Sequence, residues 1–241
     1  AVIAHGVLRE QTIYAALAAD VDGAQTPWKK IADVPDGVVN EDLRGNTIYL
    51  MTHKDAPGFK IVAASLDRPD AAQTTVIAPS RDVVESLGVA ADGLYVQTRT
   101  GGFGRILRLP LDAAGTIAGA PAAVPLPYPG SIPALTTDPA VAGTTFGLTG
   151  WTQTLLYFRS DAALTVAKTD LKPPSPVDAS AYTSAEVQAP SADGTPIPLS
   201  LIYRKDLKLD GSHPTYLTGY GAYGTTIEPG FDTLRLAWLE R

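Results

Sequence analysis

Gly93-Leu94-Tyr95-Val96-Gln97-Thr98-Arg99, broken by Gly101-Gly102 and resumed as Arg105-Ile106-Leu107-Arg108-Leu109, decides the fold. Two short runs rich in β-formers flank a glycine break, with Asp92-Gly93 at the entry. This pattern reads as strand, turn, strand. Working outward, similar runs occupy Ala1–Val7, Thr12–Leu17, Asn46–His53, Lys60–Leu66, Thr74–Ala78, Thr144–Thr149, Thr154–Phe158 and Leu164–Thr169. Asp22-Gly23 and Asp36-Gly37 supply further tight-turn pairs, and 22 glycines and 20 prolines in 241 residues punctuate the rest. Short strands dominate.

The runs repeat. Val2, Ile48, Leu94 and Phe146 open comparable apolar strands 46, 46 and 52 residues apart. Each is followed by a second strand ending near an acidic turn at Asp67, Asp112 or Asp170, read as solvated turn acids. A third follows in the first three units, at Trp28–Val34, Thr74–Ala78 and Ala122–Leu126. A period of ~40–50 residues with about four strands per unit marks a β-propeller blade, which must stack on neighbours to bury both its faces. A β-sandwich with coincidental spacing is the plainer alternative.

The pattern changes at Leu171. Lys172-Pro173-Pro174-Ser175-Pro176 cannot continue a ladder and reads as a linker. Runs at Thr183–Gln188 and Ile197–Tyr203 flank Ser191-Ala192-Asp193-Gly194, a hairpin signal. Asp210-Gly211 turns the chain into a short run, Pro214–Leu217. Beyond Pro229-Gly230, Asp232 can cap a helix over Thr233–Arg241 that carries Leu234 and Trp238 on one face. The reading is thus mainly β: a propeller segment over 1–171, a linker over 172–181, and a new fold from 182 to 241.

Composition excludes several chemistries. With 19 basic and 25 acidic side chains, 18% charged, and no Lys/Arg cluster, nucleic acid is not an expected partner. No apolar run approaches the ~18 residues of a membrane span, so no membrane partner is expected. Zero cysteines removes disulfides, thiolate zinc sites and a cysteine nucleophile. His5, His53 and His213 are scattered, which argues against a His-based metal site. No metal or cofactor is expected. The compartment stays open between cytoplasm and periplasm.

One stretch invites chemistry. Gly219-Tyr220-Gly221-Ala222-Tyr223-Gly224 fits G-x-G-x-x-G, but Thr225–Gly230 follows where a dinucleotide site needs a helix. The same glycines would let a strand end turn sharply and project Tyr220 and Tyr223. Two readings remain by residue type alone. The tyrosines either cover glycine backbone, or present a phenol able to donate to a developing oxyanion. Ser212 and His213 are adjacent on a turn and cannot easily face each other as nucleophile and base.

Asp193-Gly194-Thr195-Pro196-Ile197-Pro198, the turn from Lys205 to Pro214, Gly219-Tyr220-Gly221-Ala222-Tyr223 and Arg235-Leu236-Ala237-Trp238-Leu239, in that order, resemble the prolyl oligopeptidase family of serine peptidases. Trp28-Lys29-Lys30 resembles a propeller stretch upstream in that family. The likeness is dense over Tyr182–Arg241 and thin but colinear before it. It implies a seven-bladed propeller over an α/β-hydrolase domain whose Ser-His-Asp triad cleaves short peptides after proline. It also implies that Tyr220 helps form the oxyanion hole, and that Tyr223 stands where a phenylalanine usually lines the proline pocket. Ala222 replaces a usual glycine.

No Gly-x-Ser-x-Gly nucleophile elbow occurs in the 241 residues. About four blade-like units stand where seven are implied. The resemblance therefore leads us to expect an internal fragment: later blades plus the first strands and first helix of the hydrolase domain. Its substrates would be short proline-containing peptides, and its other partner the remainder of the same polypeptide. The alternative is a non-catalytic β-propeller interaction module, in which the segment after Leu171 would be another blade.

Overall fold

A computed structural model of the chain describes every residue except Pro174, Pro176, Gly224 and Arg241. Part of the linker and the last glycine of the Gly-Tyr-Gly stretch therefore lie outside the described residues. The first sheet runs β1 (Val2–Ala4), β2 (Gln11–Ala15), β3 (Lys29–Ala32). Three four-stranded antiparallel meanders follow. They are β4 (Val38–Arg44) to β7 (Thr74–Ile77) through β5 (Thr47–Thr52) and β6 (Lys60–Ser65); β8 (Val83–Ala90), β9 (Gly93–Thr100), β10 (Phe103–Pro110) and β11 (Ala122–Ala123); and β12 (Ser131–Asp138), β13 (Val141–Thr149), β14 (Leu156–Ser160) and β15 (Val166–Lys168). Each is ordered by sequence, as in propeller blades.

The periodicity follows the second strand of each four-stranded meander, and β1 in the three-stranded sheet. β5 shows why. Its Ile48 and Leu50 pack with Ile13, Ile31 and Val62 toward the first sheet. Its Tyr49 and Met51 pack with Leu87, Leu94, Val96 and Leu109 toward the third. Alternate side chains of one strand thus serve two different cores. β9 repeats the device: Leu94 and Val96 face back to β5, while Tyr95 joins Ile106, Ile132, Phe146 and Phe158 on the other side. A strand apolar on both faces reads as a continuous apolar run, which is why these strands were legible.

The first strand of each four-stranded blade carries no comparable apolar run. β4 carries Asn40, Glu41 and Asp42, β8 carries Glu85 and Gly88, and β12 ends in Thr136-Thr137-Asp138. These strands lie against one another, β4 on β8 and β8 on β12, along the inside of the fan. Their polar groups fasten the blades together. Val89 N–H donates to Asp42 Oδ2 at 2.6 Å, and Arg44 Nη1 donates to the carbonyls of Ala90 and Ala91 at 2.8 and 2.7 Å. Asp92 accepts from Gly143 N–H at 2.8 Å, Tyr95 Oη at 3.0 Å and Arg108 Nη1 at 3.1 Å. Burial works against ionising Asp92, but these donors outweigh it and hold the carboxyl below its usual range. Tyr49 Oη donates to the carbonyl of Gly115 in the next blade. Burial pushes that phenol up to about 12.

The chain after β15 does not add a fifth meander. β16 (Tyr182–Pro190) and β17 (Pro196–Arg204) form a separate two-stranded hairpin, with Tyr182 paired to Arg204 and Pro190 to Pro196. Gly194, at φ +84°, closes the turn by donating from its N–H to Ser191 O at 2.9 Å. A helix, α1 (Thr233–Leu239), is capped by the Asp232 side chain, which accepts from Leu234 N at 2.9 Å. Its buried residue is Leu236, whereas Leu234 and Trp238 are exposed. The spacing of Leu234 and Trp238 points to the opposite face. Among the described residues, no helix is long and apolar enough to cross a membrane.

Candidate functional site

The hairpin root fixes where the Gly-Tyr-Gly segment begins. Tyr182 is buried, and its hydroxyl donates to the Glu240 carboxylate at the end of α1. That bond raises the phenol above its ordinary value. Arg204 reaches Asp206 at 3.1 Å and Glu240 at 3.6 Å. Between these anchors, from Lys205 to Ile227, no described residue joins a strand or helix.

The sequence led us to expect a strand over Pro214–Leu217, delivering Tyr220 to a sheet edge. That expectation fails. A strand exists only through its ladder, and nothing among the described residues pairs with this run. Tyr220 is 55% exposed and Tyr223 96% exposed. The sharp turn does not rest on Gly219 or Gly221 either. Neither has a positive φ, and a methyl group on either would meet nothing within 4 Å. Instead Tyr223 itself takes φ +56°, a conformation that costs a non-glycine residue roughly 1–2 kcal/mol. Thr225 N–H closes the turn on Ala222 O at 3.1 Å.

Ser212 and His213 do not pair. Ser212 Oγ donates to Asp210 Oδ1 at 2.6 Å, and the same oxygen accepts from Ser212 N at 3.0 Å. This is a turn closure. Asp67, Asp112 and Asp170 are exposed; Asp112 Oδ1 accepts from Ala114 N and Thr116 N, as a turn acid should. A dinucleotide site is also ruled out, since the helix begins only at Thr233. No group of three or more potential metal ligands occurs among the described residues. An open cleft of about 360 Å³ lies between the last blade and the hairpin, lined by Tyr128, Gln153, Tyr182 and Lys205 among others. Tyr220 does not line it. The described residues bring no nucleophile and base together at Tyr220. What the site offers is one exposed phenol donor, with a second tyrosine three residues on.

Sequence reasoning missed a further feature. Burial returns abruptly at Glu228–Phe231, where the chain lands on the blades. Ser131 Oγ donates to Pro229 O at 2.6 Å, across 98 residues of sequence. Neither residue carries a motif, so no sequence signal marked the contact.

No family model matches the chain. A prolyl endopeptidase from Elizabethkingia meningoseptica is 26% identical over 200 residues, covering 83% of this chain and 28% of that protein. Dipeptidyl aminopeptidase BI from Pseudoxanthomonas mexicana is 43% identical over 65 residues, covering 27% of this chain and 9% of that protein. In fold, prolyl oligopeptidase B from Galerina marginata superposes with a TM-score of 0.79 at 18% identity, over 97% of this chain and 33% of that one. The chain thus spans about a third or less of the length of the relatives it matches. Across most of its length the chain is similar to prolyl endopeptidases and oligopeptidases, in agreement with the resemblance its sequence carries.

Proposed function

We propose that the chain serves a serine peptidase of the prolyl oligopeptidase type, cleaving short peptides after proline. Residues 1–171 supply later propeller blades, 172–181 the linker, and 182–241 the opening of the α/β-hydrolase domain. The Ser-His-Asp triad comes from sequence outside these 241 residues, so the chain alone does not hydrolyse a proline-linked chromogenic peptide. One observation carries the reading: 26% identity to a prolyl endopeptidase over 200 residues, 83% of the chain.

Tyr220 is the proposed oxyanion donor. Acyl transfer puts negative charge on the former carbonyl oxygen, and one preorganised donor there is worth about 2.7–4 kcal/mol. A phenol suits the task because it is rigid and, with an ordinary pKa near 10, keeps its proton at neutral pH. Its exposure leaves the hydroxyl free to meet substrate. Tyr223 lines the proline pocket. In the longer protein that contains this sequence, Tyr220→Phe should lower kcat about 10²–10³-fold with little change in KM. Tyr223→Phe should keep kcat and move KM. A Tyr220→Phe enzyme within twofold of the parent, with chemistry rate-limiting, would return Tyr220 to a packing role.

A further inference from the structure

Glu228 sits where the chain meets the propeller face. Its carboxylate lies 3.2 Å from Arg99 Nε on β9, and the same Nε lies 2.5 Å from Glu85 Oε1 on β8. Glu85 is held in turn by Gln97 Nε2 at 2.9 Å, which also donates to Ile132 O on β12. One guanidinium thus serves two carboxylates, only one of which belongs to its own blade. Flanking contacts extend the attachment. Pro229 O accepts from Ser131 Oγ at 2.6 Å, and Phe231 N–H approaches Thr149 Oγ1 at 3.4 Å. The Arg235 guanidinium lies 4.8 Å above the ring of buried Trp151 and donates to Gly230 O at 2.8 Å. The preceding residues, 205–226, are nearly all exposed.

We propose that residues 227–235 are a releasable strap, fastening the segment that carries the Gly-Tyr-Gly turn to blades three and four, with Arg99 as the cation that lets Glu85 and Glu228 share one face. The strap rests on its contacts alone and stands whether or not Tyr220 is an oxyanion donor. Its charge balance has a definite sign. The charged groups facing Glu228 are Glu85 from β8 and Arg99 from β9; β12 presents the neutral Ser131. Burial, and next the Glu85 charge, push the Glu228 carboxyl above its ordinary value, and Arg99 only partly opposes them. A group whose pKa is raised in the docked state favours docking when protonated. The strap therefore tightens as pH falls toward the carboxylate range, and loosens as pH rises through the docked pKa.

Hydrogen–deuterium exchange of the longer protein that contains this sequence, read peptide by peptide, tests this. Arg99→Met keeps the aliphatic stem but leaves Glu85 and Glu228 facing each other without a cation. Exchange across residues 226–240 should then speed up at least tenfold, with β8–β10 within twofold of the parent. Adding Glu228→Gln should bring 226–240 back to within threefold. If 226–240 does not respond, or if β8–β10 loosens equally, Arg99 serves its blade and the strap is overturned. Glu228→Gln alone provides an arm independent of folding at Arg99. At pH 7, opening of 226–240 in Glu228→Gln should be no greater than in the parent, because the carboxylate that burial and the Glu85 charge make costly is gone. A Glu228→Gln variant that opens more readily than the parent would make the Arg99–Glu228 pair the net tie and overturn this charge balance.

Discussion

Asp92 shows how much one side chain can carry. It occupies the Asp-Gly turn that the sequence marked as mere punctuation, yet it ties β9, β10 and the start of β13 together. Its pKa is depressed in the folded state. Such a group adds stability above its unfolded pKa of about 3.9, and that stability is lost as pH falls through the lower folded value. Acid unfolding should therefore set in below about pH 4. Asp92→Asn should flatten that limb of the stability curve, and Asp92→Ala should cost about 3 kcal/mol at pH 7 by leaving the Arg108 charge without its carboxylate and Gly143 N–H and Tyr95 Oη without their acceptor. Urea denaturation across pH 3–7 measures both. An unaltered acid limb in Asp92→Asn would remove Asp92 from the account.

At the scale of elements, the blades are joined as closely by turns as by strands. The turn before Ile117 brings Gly115, at φ +80°, against the preceding blade, where an added Cβ would fall 2.3 Å from Arg44 O. Backbone cannot swing aside as a side chain can. Gly115→Ala combines left-handed strain of roughly 1–2 kcal/mol with overpacking of about 1–3 kcal/mol. Gly194, in the hairpin turn at φ +84°, has open space around it. Gly194→Ala should therefore lose only the strain, roughly 1–2 kcal/mol. Chemical denaturation of the two variants should separate them by at least 1 kcal/mol, about the smaller overpacking penalty. Equal losses would mean that the blade contact at Gly115 is loose.

For the whole molecule, surface area is the informative quantity. The folded chain exposes 14091 Å², against roughly 10,000 Å² for a compact protein of this mass. The excess includes apolar groups around the Gly-Tyr-Gly segment. Tyr216, Leu217, Tyr223, Leu234 and Trp238 are each at least 69% exposed, and Tyr216 stacks on Trp238 at 5.8 Å. Exposed apolar groups and open sheet edges favour association. The isolated 241-residue chain should self-associate at micromolar concentrations, and Trp238→Ser with Leu234→Ser should reduce it. Sedimentation velocity reads this directly. A monomer up to 100 μM that also fails to enhance a hydrophobic dye would contradict it.

The sequence by itself determined the repeat, the break near Leu171, the hairpin at Asp193-Gly194, the Asp232 cap and the family likeness. These are local matters. A strand buried on both faces, as at Ile48–Met51, must read as an apolar run, and a turn needing positive φ must hold a residue that tolerates it. Tertiary structure alone decided the rest. β4, β8 and β12 were invisible because polar residues interrupt their apolar pattern, and the partners of those residues lie on other strands: Asp42 of β4 bonds Val89 in the next blade, and Glu85 of β8 is taken up by Gln97 and Arg99 of β9. Leu236, not Leu234 or Trp238, is buried because the packing partner chooses a helix's inward face, and spacing alone leaves that choice open. Pro214–Leu217 stayed out of any sheet because a strand needs a partner to pair with. The meeting of Glu228 with Arg99, and of Pro229 with Ser131, joins residues about a hundred positions apart or more, where only the folded path of the chain sets the distance.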